Sequence, residues 1–166
     1  MRRHNTDGAP RLRNWVYVRE RVRAGELPWV RVEEIDGEQL KRPVVLVNGT
    51  FDLLHSAHWR LLFEARKRAG TLVCAMDSDR LVRANKGEKR PILTWVERAT
   101  AMQYAPIDLL VEIGSDEDMR ELVRRLRPDW RCQGADYAEQ ATRFPDIPRL
   151  FVRDDGMRTS TIKNIS

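Results

Sequence analysis

Two of the three histidines in the 166-residue chain, His55 and His58, stand three residues apart at the end of the stretch Asn48-Gly49-Thr50-Phe51-Asp52-Leu53-Leu54-His55-Ser56-Ala57-His58. On a helix this spacing puts both imidazoles on one face, where they reach the same anion. Imidazole N–H groups aimed at a phosphate stabilise the negative charge that builds on a leaving group, without any covalent step. An isolated histidine pair is more often an ordinary surface pair, with Gly49 and Asp52 making a turn and a cap. Its place in the fold separates the two readings.

Two further groups carry suitable chemistry. The run Lys86-Gly87-Glu88-Lys89-Arg90-Pro91 offers Lys86, Lys89 and Arg90 on a Gly-containing segment suited to neutralising a polyphosphate, although by composition it is also a plain solvated loop. Near the end, Arg158-Thr159-Ser160-Thr161-Ile162 places hydroxyls at the start of a short predicted helix, where they act as caps or as donors to an anion. Cys74 and Cys132, the two cysteines, lie inside apolar segments without Cys or His at ligand spacing, and read as buried thiols in a reducing compartment.

The elements that must position these residues alternate. Val44-Val45-Leu46-Val47 is a β-branched apolar run of strand length, as expected for a strand buried on both faces of a parallel sheet. A helix is predicted from Ser56 to Ala69, stopped by Gly70 as a C′ glycine. Leu72-Val73-Cys74-Ala75-Met76 is the next strand, and strand, helix, strand makes a right-handed βαβ unit. Thr94-Trp95-Val96-Glu97 fits a capping box opening a helix to about Tyr104. Leu109 to Ile113 is a third strand, and Ser115 caps a helix carrying Met119, Leu122, Val123 and Leu126 until Pro128. A short strand around Asp129 to Cys132, the turn Gly134-Ala135-Asp136, a strand at Leu150-Phe151-Val152 and a closing helix from Thr159 to Ile165 complete the pattern.

The fold class expected is therefore α/β, a doubly wound parallel sheet of Rossmann-like type. Ligands of such sheets bind beyond the carboxyl ends of the strands, and Asn48 to Asp52 with His55 and His58 fall there. A helix N-terminus adds unpaired N–H groups and positive potential at that place. This location favours the phosphate reading of the histidines.

Residues 43–166 are expected to form this domain. Residues 1–42 are read as a basic, partly disordered N-terminal extension, with a short helix at Trp15 to Val22, a strand-forming Trp29-Val30-Arg31-Val32 and a turn at Asp36-Gly37. Eight arginines crowd residues 1–31 of a chain whose net charge is +5. That charge suits either nucleic acid or anionic small substrates and does not choose between them. No apolar run approaches the roughly 20 residues that span a bilayer, so a soluble, cytoplasmic protein is expected.

Gly49 to His58 resembles the GxFDxxHxGH signature of cytidylyltransferase-like enzymes in the HIGH-motif nucleotidyltransferase superfamily. The resemblance extends over roughly residues 41–165. Lys86 to Pro91 resembles the KGxxRP loop of bacterial heptose-phosphate adenylyltransferases, Gln133-Gly134-Ala135-Asp136-Tyr137 their KGxDY turn with Gln133 in place of lysine, and Arg158 to Ile162 their S-T-T-x-I segment. Thr50 and Leu53-Leu54 are equally at home in glycerol-3-phosphate cytidylyltransferases. Ala57 stands where the signature has glycine, and Arg158 where the last motif has a hydroxyl residue.

The resemblance implies transfer of a nucleoside monophosphate from ATP or CTP to a phosphorylated sugar or polyol, with ATP and a sugar phosphate favoured. It implies His55, His58 and Lys86 as catalytic residues. Asn48, Gly49, Thr50, Phe51, Asp52, Ala57, Arg90, Gly134, Asp136, Tyr137, Arg158, Thr159, Ser160 and Thr161 would bind nucleotide, and Asp77 and Asp79 the acceptor. Mg2+ would arrive with the nucleotide, with no protein ligand assigned. A homodimer is implied by analogy, and a nucleic-acid partner is not. A catalytically weak nucleotide-binding module is the alternative of another class, motivated by Ala57, Arg158 and the arginine-rich front.

Overall fold

Val44, Val45, Leu46 and Val47 are all fully buried, because the strand they form is covered on both faces. The computed structural model describes Gly25 and residues 29–153. Within them β1 (Val44–Gly49) is the middle strand of a five-stranded sheet with β2 (Thr71–Asp77), β3 (Leu109–Ile113), β4 (Trp130–Gly134) and β5 (Arg149–Val152). The order is β3-β2-β1-β4-β5 and every pairing is parallel, as the alternation of elements predicts. From β1 the chain works outward to β3, then returns to β4 on the other side. That reversal opens a crevice at the carboxyl ends of β1 and β4.

Four helices cover the sheet: α1 (Ser56–Arg68), α2 (Asp79–Lys86), α3 (Trp95–Met102) and α4 (Asp116–Leu126). Strand residues alternate between two apolar layers. Val45, Val47, Leu72, Cys74 and Met76 pack with Leu62 and Ala65 of α1 and Ala99 and Met102 of α3. Val44, Leu46, Val73, Ala75 and Val111 pack with Met119, Leu122 and Leu126 of α4. Both cysteine thiols are buried in the first layer. No helix among the described residues is long and apolar enough to cross a membrane.

The predicted caps are present: Thr94 Oγ1 accepts from Glu97 N and Ser115 Oγ from Asp118 N. Three sequence expectations change. Gly70 does not take the left-handed conformation; Ala69 is the extended C-cap of α1. The glycine is required for close approach instead, since a Cβ there would lie 2.4 Å from the Arg42 carbonyl oxygen. Residues 79–86, assigned no element from sequence, form α2, whose only buried residue is Val82 and whose cap is Ser78. Such a helix has too little apolar stripe to show by periodicity.

The third change concerns the front of the domain. Trp29-Val30-Arg31-Val32 makes a single bridge, Val30 to Val111, followed by 3-10 turns at Val32–Glu34 and Gly37–Gln39. Val30, Val32, Ile35 and Leu40 are buried in the second apolar layer. The boundary expected at residue 42 therefore falls inside packed structure. The expectations for residues 1–24, including the disordered start and the helix at Trp15 to Val22, lie outside the described residues, as does the closing helix from Thr159 to Ile165.

One buried cation ties the strand ends together. Arg98 of α3 is 1% exposed and donates to the carbonyls of Thr50 (2.6 Å), Asp77 (2.9 Å) and Leu93 (3.2 Å) and to Asp79 Oδ1 (2.7 Å). Thr50 follows β1 and Asp77 ends β2, so one guanidinium sets the relative height of both. Replacing it by Arg98→Met strands these acceptors beside an unpaired Asp79. Urea unfolding should show a loss of about 3–5 kcal/mol; a loss below about 1 kcal/mol would mean that the strand ends hold themselves.

Candidate active site

Beyond Gly49 the chain makes a strained turn. Phe51 and Leu53 take left-handed conformations, with φ of 50° and 52°, at a cost of order 1–3 kcal/mol each for residues with a side chain. Between them Asp52 accepts hydrogen bonds from Arg90 Nη1 (2.7 Å), Ile92 N (2.9 Å) and Leu93 N (3.0 Å). Burial alone would raise the Asp52 pKa; the Leu93 and Ile92 N–H groups and the Arg90 guanidinium outweigh it and hold the carboxyl below the ordinary carboxylate range. These bonds offset the strain and pull the segment that follows Lys86 against the turn. The role of Asp52 is accordingly to shape the site.

The turn delivers the chain to α1 with His55 as N-cap. The two imidazoles lie 4.0 Å apart at an interplanar angle of 31°, and Phe51 stands 5.3 Å from His58. His58 Nδ1 accepts a long bond of 3.4 Å from the His55 backbone N–H. Nδ1 is thus the unprotonated nitrogen, and the proton sits on Nε2, available as a donor. Burial pushes the His58 pKa down to about 4, with the charges of His55 and Lys86 adding to the effect and Asp52 opposing it. His58 is therefore a neutral hydrogen-bond donor near neutral pH.

On the β2 side, Asp77 and Lys86 moderate each other. Burial raises the Asp77 pKa against the pull of Lys86, the Thr50 hydroxyl (3.4 Å) and Arg98. Burial lowers the Lys86 pKa against the pull of Asp77. Gly87, with φ of 90°, ends α2 directly after Lys86 and turns the chain back toward Arg90.

The histidine pair, Asp52, Asp77 and Lys86 line a cleft of about 580 Å3 at the carboxyl ends of β1 and β4. Asn48, Gly49, Thr50, Phe51 and Asp52 come from β1 and its turn, and His55, Ala57 and His58 from the start of α1. Asp77, Lys86 and Arg90 form the β2 side, and Gly134, Asp136 and Tyr137 the β4 side. Asp79 is not among them: its carboxylate turns to Arg98. Arg158, Thr159, Ser160 and Thr161 lie outside the described residues. Among the described residues no three His, Cys, Asp or Glu side chains are grouped to hold a metal ion.

Sequence reasoning missed several lining residues. Arg131, Thr142, Arg143 and Arg149 all reach the cleft. Arg131 is 7% exposed and donates to Asn48 Oδ1 (3.1 and 3.0 Å) and Thr142 Oγ1 (3.2 Å). An arginine flanked by Trp130 and Cys132 in an apolar strand was the available signal. Thr142, Arg143 and Arg149 carried none, because only the return of the chain to β5 brings them back.

The parallel sheet reverses at β1, and the crevice so formed holds the paired imidazoles of His55 and His58 together with Lys86. The chain belongs to the cytidylyltransferase-like family, whose model matches residues 46–159. It is 38% identical over 136 residues to the bifunctional protein HldE of Campylobacter curvus, covering 80% of this chain and 29% of that protein. It is 33% identical over 142 residues to HldE of Magnetococcus marinus, covering 85% and 26%. The chain thus spans little more than a quarter of these relatives. A lipopolysaccharide core biosynthesis protein from Thermoplasma volcanium superposes with a TM-score of 0.53 at 26% identity, covering 69% of this chain and 98% of that one. A pantoate-beta-alanine ligase from Francisella tularensis, at 12% identity and a TM-score of 0.55 over 83% and 74%, shares the fold.

The His58 shift has a consequence for stability. Its folded pKa lies below the unfolded value near 6.5, so the neutral folded form contributes stability that is present above about pH 6.5 and lost as pH falls toward 4. The unfolding free energy of the native protein should fall relative to that of His58→Gln as pH drops through that window. Parallel curves would mean that folding does not shift the His58 pKa.

Proposed function

We propose that the chain transfers a nucleoside monophosphate from ATP or CTP onto a phosphorylated sugar or polyol with release of pyrophosphate, ATP and a sugar phosphate being the favoured pair. The observation that carries this reading is the neutral His58 donor paired with His55 in the cleft, with Lys86 on the β2 side. The similarity to HldE proteins supports adenylyl over cytidylyl transfer. So does the resemblance of the Lys86 loop and the Gly134 turn to heptose-phosphate adenylyltransferases.

An oxygen of the acceptor phosphate attacks the α-phosphorus in line; the new O–P bond forms as the bond to the bridging oxygen breaks, and pyrophosphate leaves with the electron pair. Histidine N–H groups and the Lys86 ammonium stabilise the charge that collects on the leaving group. No protein base is needed, because a phosphate monoester is already anionic near neutral pH. Mg2+ would enter on the triphosphate, where it supplies charge neutralisation. Ala57 lines the same cleft, where the resembling signature has a glycine.

Pyrophosphate release with ATP and CTP against a panel of sugar and polyol phosphates tests the reading. If no pair turns over while either nucleotide binds, the chain is a nucleotide-binding module and not an enzyme. In the productive pair, His58→Ala should lower turnover about 100- to 1,000-fold with the fold intact, and near-normal activity removes His58 from the mechanism. Ala57→Gly should keep or improve nucleotide affinity; a clear loss would assign the methyl group to a pocket wall.

A further inference from the structure

Arg131 is a charged side chain in the interior with no carboxylate partner among the described residues. Its hydrogen bonds go to an amide oxygen, Asn48 Oδ1, and a hydroxyl, Thr142 Oγ1. The charges acting on it are those of Arg143 and Arg149, and both repel. Arg149 likewise reaches no carboxylate among the described residues: it donates to the carbonyls of Tyr137, Gln140 and Ala138 and stacks over Phe151. Only Arg143 is offset, by an ion pair with Asp116. A guanidinium that is more than nine-tenths buried without a counter-charge among the described residues is costly, and an anion brought into the cleft relieves that cost.

The location is specific. Arg131 and Gln133 are two residues apart on β4, so both side chains point to the same face, and both line the cleft. Gln133 occupies the lysine position of the KGxDY-like turn, and its buried Oε1 has no hydrogen-bond partner among the described residues. Where the resembling turn has a lysine this strand has the neutral Gln133, and it carries a cation two residues upstream on the same face. β4 lies on the opposite side of β1 from β2, so this cation faces the Lys86 and Arg90 side across the site.

We propose that Arg131 is the phosphate-binding cation of the β4 side of this site, replacing from two residues upstream the charge that Gln133 lacks, with Arg149 reinforcing the field. Its ligand is a phosphate group, either of the nucleotide tail or of the acceptor. The inference rests on the reading that the cleft takes phosphorylated substrates, and it extends that reading by naming the residue that grips one of them. A guanidinium forms two parallel bonds to phosphate oxygens, and Asn48 and Thr142 hold its plane.

Titration calorimetry on the full chain separates the two sources: ATP binding in one arm, and inorganic phosphate binding to the ATP-saturated protein in the other. Arg131→Met should weaken one arm about 10- to 100-fold. The arm that falls identifies the phosphate. Adding Gln133→Lys to Arg131→Met should restore most of that affinity, which a merely structural role for Arg131 would not allow. Unchanged affinity in both arms overturns the proposal, and so does a folded double variant without recovery. Should Arg131→Met fail to fold, low-millimolar phosphate should still raise the melting temperature of the native protein more than chloride at equal ionic strength, and no difference overturns it. Because every arm reads binding, a chain that binds both ligands and transfers nothing refutes only the transferase reading.

Discussion

The Arg98 guanidinium closes the carboxyl ends of β1 and β2 from beneath, and the site is built on that closure. A strand end exposes carbonyls with no further ladder partner, and in the interior these need donors. Arg98 supplies them for Thr50 and Asp77 at once and settles its own charge on Asp79. Asp79, expected to meet the acceptor, has its carboxylate on Arg98. With the floor set, Asp52 secures the turn above it, because the two left-handed residues at its sides are held by the three donors on its carboxylate. A scaffold ion pair below and a clamped carboxylate above leave the histidine pair little freedom, which is what a preorganised donor requires.

The electrostatics of the cleft follow from where burial leaves charge. His58 is neutral because it is desolvated next to other cations, and Asp77 and Lys86 are each displaced toward neutrality and each restrained by the other. The surplus positive charge lies on both flanks of β1, on Lys86 toward β2 and on Arg131 and Arg149 toward β4 and β5. A neutral donor at His58 between two cationic walls suits a substrate whose own charge changes place during the reaction. Hydrogen bonds then act where charge develops, and ionic contacts act where it is already present.

Much of this was legible in the sequence, for identifiable reasons. Continuous apolar runs at Val44 and Leu72 marked strands covered on both faces, and Thr94 and Ser115 announced their helices by side-chain caps. The cleft residues after β1 were readable because they are consecutive. What escaped was long-range. Arg98 lies mid-helix between Glu97 and Ala99 and has no local signature; its partners are 5 to 48 residues away. Arg131 carried a weak signal, an arginine in an apolar strand, whose meaning depends on Asn48, 83 residues distant. Gly70 was recognised as necessary for the wrong reason, since the crowding comes from Arg42 rather than from its own φ.

The single bridge from Val30 to Val111 bears on how the molecule behaves among its own copies. Every open sheet has two margins, and unpaired peptide groups there invite a neighbouring chain to add a strand. Here β3 has its outer side occupied at Val111 by the segment leading into the domain. The other margin, β5, is only four residues long, begins with Arg149 and is followed by Arg153. Among the described residues, a half-covered margin and a short one flanked by arginines are both poor templates for an added strand, so the short strand that brings Arg149 to the cleft also leaves little edge to pair.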